Sequence, residues 1–545
     1  RLIFNSLYSF LKDNNFITSH QSGFVPGDSC VNQLISITHK IFHAFDSNPS
    51  LEVRGIFLDI SKAFDRVWHE GVIYKLNLAG VSGNLLFLIK DFLCDRFQRV
   101  VLNGQSSSLL KVNAGVPQGS IMGPLLFLVY INDITKDLKT DVKLFADDTS
   151  IFSVVHNPRT AASYLEHDLK KLSEWAFQWK MEFNPDPKKP AQEITFSRKK
   201  NANQQVDVFL NNQPIEKNTS TKHLGFILDQ KLNFLEHLNQ KISIVYKGIG
   251  ILRKLGKFLP RKSLVTIYKS FIRTHLDYCD VIYDKPNNAS FTEKIEKLQY
   301  DAALAITGCI RGTSKEKLYN ELGLEYLSQR RWMRKLCLFY KIYSSKSPSY
   351  LSNVIPLPIG NYRTRNRNAI PQLPCRTDFF QSSFFPSAIR EWNNLDINIR
   401  NSESLPVFKK HILSFIRPSH KSVYDIRDNS GLKLLTRLRL GLSHLREHKF
   451  IHGFQDTPDP YCTCNHNIES VTHFFLHCHH YIQLRDNLKN DLSLIDPNLV
   501  NLCDNVLLNI LLYGDSKYDY STNTKILQCS IKFIYDTDRF NVPLV

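Results

Sequence analysis

Two adjacent carboxylates, Asp147 and Asp148, stand where the sequence predicts the tip of a β-hairpin, and this pair constrains both fold and chemistry. Leu144 and Phe145 close one alternating run and Thr149 to Phe152 open another, so Phe145-Ala146-Asp147-Asp148 reads as the turn between two short strands. Paired acids on a tight turn offer hard oxygen ligands. Two divalent ions held about 3.5 to 4 Å apart by such ligands can drive an in-line displacement at phosphorus. Most Asp-Asp pairs are solvated turns, so the reading depends on what else the chain brings to the same place.

A second carboxylate lies upstream. The run Gly55-Ile56-Phe57-Leu58-Asp59 reads as a buried strand delivering Asp59 at its end, followed by a helical turn through Val67 and Trp68 that carries Asp65. Asp59 is therefore expected beside Asp147. Between them, Ala114-Gly115-Val116-Pro117-Gln118-Gly119-Ser120 forms a Gly- and Pro-rich loop entering the apolar segment Leu125 to Ile131, with Ser120 placed to cap that helix.

In order and spacing these segments resemble the reverse transcriptases of non-LTR (LINE-type, jockey-like) retrotransposons. The strand ending in Asp59 resembles motif A of that family, the Pro117-Gln118-Gly119 loop motif B, and the Ala146-Asp147-Asp148 turn motif C. Gln21-Ser22-Gly23-Phe24 is similar to a fingers element, and His223-Leu224-Gly225-Phe226 with Leu228-Asp229 to the primer-grip region. The resemblance implies an α+β right-hand polymerase of fingers, palm and thumb, with a helical C-terminal extension and a small zinc-knuckle-like element. It implies RNA-directed DNA synthesis by two-metal transfer of dNTPs to a primer 3′-hydroxyl, with an RNA template and a DNA primer or target as partners.

The same resemblance assigns roles. Asp59, Asp147 and Asp148 would be catalytic and, with the backbone carbonyl of Ile60, would hold two Mg²⁺ ions. Phe64 occupies the place of an aromatic gate against the 2′-hydroxyl, and Ala146 stands where RNA-copying RNA polymerases commonly have Gly. Gln118 and Gly119 would position the templating base pair. A motif D lysine would be Lys188 or Lys189, between which the alignment does not choose. Plainer readings stand beside these: a buried helix aromatic for Phe64, a simple chain turn for Gln118-Gly119, and a solvated loop for the lysines. The resemblance gives Asp65 no metal role.

Composition supports a phosphate-binding partner. The 545 residues carry a formal net charge of +18, which suits a protein tracking a nucleic-acid backbone. No apolar run approaches the roughly 18 residues that span a bilayer, the longest being Pro124 to Ile131, so no membrane association is expected. Eleven cysteines, odd in number and scattered, do not make a secreted disulfide framework, and an intracellular home, nuclear or cytoplasmic, is expected. The chain opens at Arg1 inside an amphipathic pattern of Ile3, Leu7, Phe10 and Leu11, which reads as a helix already in progress and as a start truncated relative to the family. The family's endonuclease and first fingers strands are then missing.

Residues 1–50 are expected to be partial fingers, 51–230 palm, 231–347 helical thumb and extension, 348–390 a basic Pro-rich linker bearing Arg363, Arg365 and Arg367, and 391–545 a C-terminal domain. Leu165, Leu169, Leu172, Trp175 and Trp179 predict a helix packed beneath the palm sheet. Leu238, Ile242, Val245, Ile249 and Leu252 predict another, whose Lys241, Lys247, Arg253, Lys254 and Lys257 either follow a duplex backbone or form a solvated face. Helical patterns continue through Arg261 to Tyr278, Phe291 to Ile306 and Leu318 to Tyr343.

Near the end come Cys462-Thr463-Cys464, then His473 after eight residues and Cys478 after four more, three sulfurs and one imidazole that make a tetrahedral zinc set. The set resembles the Cys-Cys-His-Cys element of many non-LTR reverse transcriptases. His477, His479 and His480 are alternative nitrogen ligands, and four unpaired side chains are the plainer reading. A competing function is a retroelement-derived nucleic-acid-binding protein that has lost catalysis; the intact Asp59, Asp147 and Asp148 argue against it.

Overall fold

The computed structural model describes residues 1–184, 191–200, 205–284, 288–357, 369–416, 426 and 428–540. The chain divides into two compact units, one of residues 1–237, 281–283 and 335–405, the other of 238–280, 284–334 and 406–545.

The first unit opens with helices α1 (Leu2–Asp13) and α2 (Cys30–Ser47). The Ser29 hydroxyl accepts from the Asn32 amide at 3.2 Å and so caps α2. Strand β1 (Glu52–Leu58) follows, buried along its whole length as the apolar run requires. Helix α3 (His69–Leu78) starts later than expected, because residues 61–66 form turns and Lys62 takes φ 49°, a conformation no helix continues. Helix α4 (Met122–Ile131) is the fully apolar segment, buried from Leu125 to Ile131. Strands β2 (Asp141–Phe145) and β3 (Asp148–Val155) are the predicted hairpin.

Helix α5 (Pro158–Gln178) carries the Leu165, Leu169, Leu172 and Trp175 face into the core beside β3, with Trp179 buried just past its end. Asn157 caps it, accepting from the Arg159 and Thr160 amides at 2.9 and 3.3 Å, with Pro158 in the first turn. Strands β4 (Gln192–Phe196) and β5 (Glu216–Asn218) complete a five-stranded sheet of order β5-β4-β1-β3-β2. All its pairs are antiparallel except β5 with β4. Gly55 lies opposite Phe152, whose ring would meet a Cβ there at 2.9 Å, so the centre of β1 needs a residue without a side chain. A separate hairpin of β6 (Ser220–His223) and β7 (Phe226–Asp229) turns at Leu224 and Gly225, both at positive φ.

Residues 369–405 return to this unit, in place of the extended linker expected over 348–390. Phe379 meets Phe42 of α2 edge-on at 4.6 Å, and Phe380 packs against His39 and His43. Asp46 accepts from the Arg376 and Thr377 amides at 3.0 and 2.8 Å. Aromatic side chains between the prolines supply the burial that a solvated spacer would lack. Earlier in the same stretch, the Tyr350 hydroxyl donates to Asp28 at 2.9 Å. Glu391, taken to open the closing domain, lies instead in the helix Phe384–Asn393 of this unit and accepts from Lys335 at 3.0 Å. Arg363, Arg365 and Arg367 fall outside the described residues.

Among its described residues the second unit has helices and no strand. The predicted basic helix spans Leu235–Leu255, burying Leu238, Val245, Ile249 and Leu252 while Lys247, Arg253 and Lys254 are exposed. The expected run Leu318 to Tyr343 is two helices, Lys315–Leu322 and Leu327–Tyr343, since Gly323 at φ 59° ends the first. Arg261 and Arg439 both pair with Glu321, at 2.9 and 2.8 Å. The C-terminal core gathers Leu435, Phe474, Phe475, Leu511, Leu527 and Phe533. No helix among the described residues is long and apolar enough to cross a membrane.

Candidate active site

The hairpin register pairs Phe145 with Asp148, leaving Ala146 and Asp147 as a two-residue turn. Asp148 therefore opens β3, while Asp147 stands at the tip. Ala146 takes φ 55°, a left-handed conformation that costs an L-residue roughly 1 to 2 kcal/mol. Because Leu58 pairs with Thr149, the end of β1 lies level with the start of β3, and Asp59 emerges beside the acid pair.

Asp59 and Asp147 open on one cavity of about 390 Å³, together with Ile60, Ser61, Lys62, Phe64, Gln118 and Asn184. Asp59 and Asp148 also border a second space of about 530 Å³, with Gln192, Thr221, Lys222 and His223. Asp59 is held by Asn184, whose amide Nδ2 donates to Oδ2 at 3.0 Å and whose backbone N–H donates to the Asp59 carbonyl at 2.7 Å. Asn184 had no role in the sequence reading. Only the pairing of Phe183 with Ile60 brings it there, and no local pattern announces that pairing.

Phe64 and Asp65 lie on turns, not on the helix expected after β1. Phe64 is half-buried, stacked on Phe127 at 4.7 Å and 13° and edge-on to Phe24 at 5.9 Å. The Gly-rich loop docks on the same turns: the Gly115 amide donates to the Val67 carbonyl at 2.8 Å, and that of Val116 to the Phe64 carbonyl at 2.9 Å. A Cβ at Gly115 would stand 2.9 Å from the Asp65 carbonyl oxygen, which explains the glycine. Gln118 Nε2 donates to Asp65 Oδ1 at 3.0 Å, giving Asp65 a structural partner. Gly119 takes φ 87° and faces open space. Ser120 Oγ accepts from the Gly123 amide at 2.9 Å and so caps the start of α4 as expected. Lys188 and Lys189 lie outside the described residues.

His223 is buried against Phe57 at 4.9 Å, and burial pushes its imidazole down to about 4.

In the second unit, Cys462, Cys464, His473 and Cys478 bring their ligand atoms within 4.8 Å of one another. Asp59, Asp147 and Asp148 do not form such a group among the described residues. The Cys462, Cys464 and Cys478 sulfurs accept backbone N–H groups from Cys464, His466 and His480, each two residues onward. Donors aimed at sulfur favour thiolate. Burial nevertheless raises the Cys462 thiol and pushes that of Cys478 up to about 12. At Cys464 burial acts the same way but the donated hydrogen bonds prevail, and its thiol is lowered. His473 Nε2 lies 3.3 Å from Cys464 Sγ, and burial lowers its imidazole, keeping it neutral as a metal ligand must be. Two of the three alternative nitrogen donors have other partners: His477 pairs with Asp504 at 2.9 Å, and His479 stacks on His466 at 4.2 Å.

Residues 1–228 match the family model described as Reverse transcriptase (RNA-dependent DNA polymerase). The probable RNA-directed DNA polymerase from transposon X-element of Drosophila melanogaster is 29% identical over 333 residues, covering 59% of this chain and 36% of that protein. The RNA-directed DNA polymerase from mobile element jockey of the same organism is 31% identical over 321 residues, covering 56% and 34%. The chain thus spans about a third of the length of these curated relatives. Among solved structures, apo telomerase from Candida tropicalis aligns at a TM-score of 0.34 and 11% identity, over 65% of this chain and 54% of that one, too loosely to carry an argument.

Proposed function

We propose that this chain is an RNA-directed DNA polymerase of the non-LTR retrotransposon kind that extends a DNA primer along an RNA template with dNTPs, a reading supported by the match of residues 1–228 to the reverse transcriptase family model and by the similarity to jockey and X-element polymerases. The observation that carries the reading is the convergence of Asp59 and Asp147 on one cavity with Phe64 and Gln118 at its wall. Carboxylates from the end of β1 and from the β2–β3 turn, with the Ile60 carbonyl nearby, are hard oxygen donors that fit Mg²⁺. Two such ions would activate the primer 3′-hydroxyl and neutralise the leaving pyrophosphate.

The chain's own residues do the rest. Asn184 fixes the Asp59 carboxylate. Phe64, immobilised by Phe127, presents a rigid edge against a 2′-hydroxyl. Gln118 and Gly119 set the height of the templating base pair, and Lys188 or Lys189 would reach the triphosphate. In this reading residues 1–50 serve as fingers, 51–230 as palm, and the basic helix Leu235–Leu255 as the thumb that contacts phosphates. The Cys462, Cys464, His473 and Cys478 set holds one structural Zn²⁺, because four protein ligands close a tetrahedral shell. Its place of work is intracellular, wherever template RNA and target DNA meet.

The test is extension of oligo-dT on poly-rA with Mg²⁺. Wild type should incorporate dTTP, and Asp147→Asn or Asp59→Asn should cost about 100-fold or more in kcat with duplex affinity retained. Equal rates for mutants and wild type would refute the site.

A further inference from the structure

The turn carrying Asp147 is clasped from outside its own hairpin. Residues 20–22 run alongside the edge strand β2: the Leu144 amide donates to the His20 carbonyl and the Ser22 amide to the Leu144 carbonyl, both at 2.9 Å. This brings the Gln21 side chain, 4% exposed, onto Ala146. Gln21 Oε1 accepts from the Ala146 amide at 2.9 Å and from the Gly23 amide at 2.8 Å, while Nε2 donates to the Ala146 carbonyl at 3.4 Å. One carboxamide thus binds both polar groups of the residue held at φ 55°. The approach is close enough that a Cβ on Gly23 would lie 2.2 Å from the Ala146 nitrogen.

We infer that Gln21 is a positioning residue: by bonding both the amide and the carbonyl of Ala146 it holds the two-residue turn left-handed and so sets where the Asp147 carboxylate meets the metal. The inference rests on the polymerase reading above for its chemistry, and on geometry alone for the clasp. A left-handed alanine relaxes unless its surroundings over-determine it. The hairpin's own ladder ends at Phe145 and Asp148, and the Thr149 hydroxyl on β3 reaches the Asp147 carbonyl at 3.4 Å, while the Ala146 amide and carbonyl are bound by Gln21. Released from Gln21, the turn would let Asp147 drift, and misplacement of a catalytic group by about 1 Å can cost about 100-fold in rate.

The test compares wild type, Gln21→Met, Gln21→Glu and the double variant Gln21→Met/Ala146→Gly in the full chain. Two readouts are taken: Mg²⁺ titration of oligo-dT extension on poly-rA, and Mn²⁺ affinity by electron paramagnetic resonance. Gln21→Met should lower kcat by about 100-fold and raise the Mg²⁺ concentration needed for half-maximal rate, while KM for dTTP and duplex affinity stay put. Adding Ala146→Gly should restore part of the rate, because glycine occupies positive φ without penalty. A general loss of stability would not be rescued this way. Gln21→Glu keeps the acceptor and loses the donor, and should fall between wild type and Gln21→Met; it decides the matter if Gln21→Met does not fold. Wild-type kcat and Mg²⁺ requirement in the folded variants would overturn the clasp. If the wild-type chain extends no primer, the polymerase reading fails by itself, and the clasp stands or falls on whether Gln21→Met weakens Mn²⁺ binding.

Discussion

Phe64 and His223 are both aromatic residues at the rim of the acid pair, yet they respond to different variables. Phe64 stacks on Phe127 at 4.7 Å, and in the proposed gate its edge would face the incoming sugar. Phe64→Val should therefore admit ribonucleotides, narrowing the dNTP over rNTP preference by roughly tenfold or more, read as the ratio of kcat/KM values. Unchanged discrimination would remove Phe64 from the gate. His223 is sensitive to protons. Its imidazole is pushed from 6.5 down to about 4 by burial, so the folded chain binds this proton only near pH 4 whereas the unfolded chain binds it near 6.5. The stabilisation from keeping it neutral is complete above pH 6.5 and is eroded as pH falls towards 4. Thermal melts between pH 7.5 and 4.5 should fall more steeply for wild type than for His223→Phe, which has no proton to take up; parallel slopes would show that His223 is not the group involved.

At the level of elements, the proposed zinc site makes the C-terminal turn depend on a metal. Three sulfurs already accept backbone hydrogen bonds, and thiols raised by burial can give up their protons to a cation at neutral pH. Metal analysis of the full chain should find one zinc, and a strong chelator or Cys464→Ser should lower the melting temperature of the C-terminal core without changing that of the first unit. Absence of stoichiometric zinc would leave the four side chains as neighbours only. What could be read in advance divides along the same physical line as what could not. The β2–β3 hairpin, the buried strand β1, the amphipathic α5 and the Ser120 cap follow from periodicity and from side chains acting within a few residues of themselves. The helix expected at Phe64 and Asp65 failed because Lys62 turns left-handed under a loop that docks from fifty residues away. Asn184 and Gln21 were invisible as partners of Asp59 and Ala146, since each meets its target only through a pairing between distant segments.

On the scale of the whole molecule, the formal charge of +18 would govern how the proposed polymerase meets nucleic acid. Affinity for an RNA–DNA duplex should fall steeply between low and physiological salt, with a log–log slope of about −0.9 per phosphate neutralised, and Asp147→Asn should leave that slope unchanged. A salt-independent affinity, measured by fluorescence anisotropy, would contradict phosphate-led binding. The discontinuous build of the first unit carries a further cost, paid during synthesis. A ribosome that has released residue 237 has made every strand of the five-stranded sheet, yet Phe42, His39 and Asp46 on α2 still await Phe379, Phe380 and Thr377. The nascent chain must therefore carry α2 with that face uncovered while the intervening helices emerge, and sequential folding from the N-terminus cannot finish the first unit before residue 405 is translated.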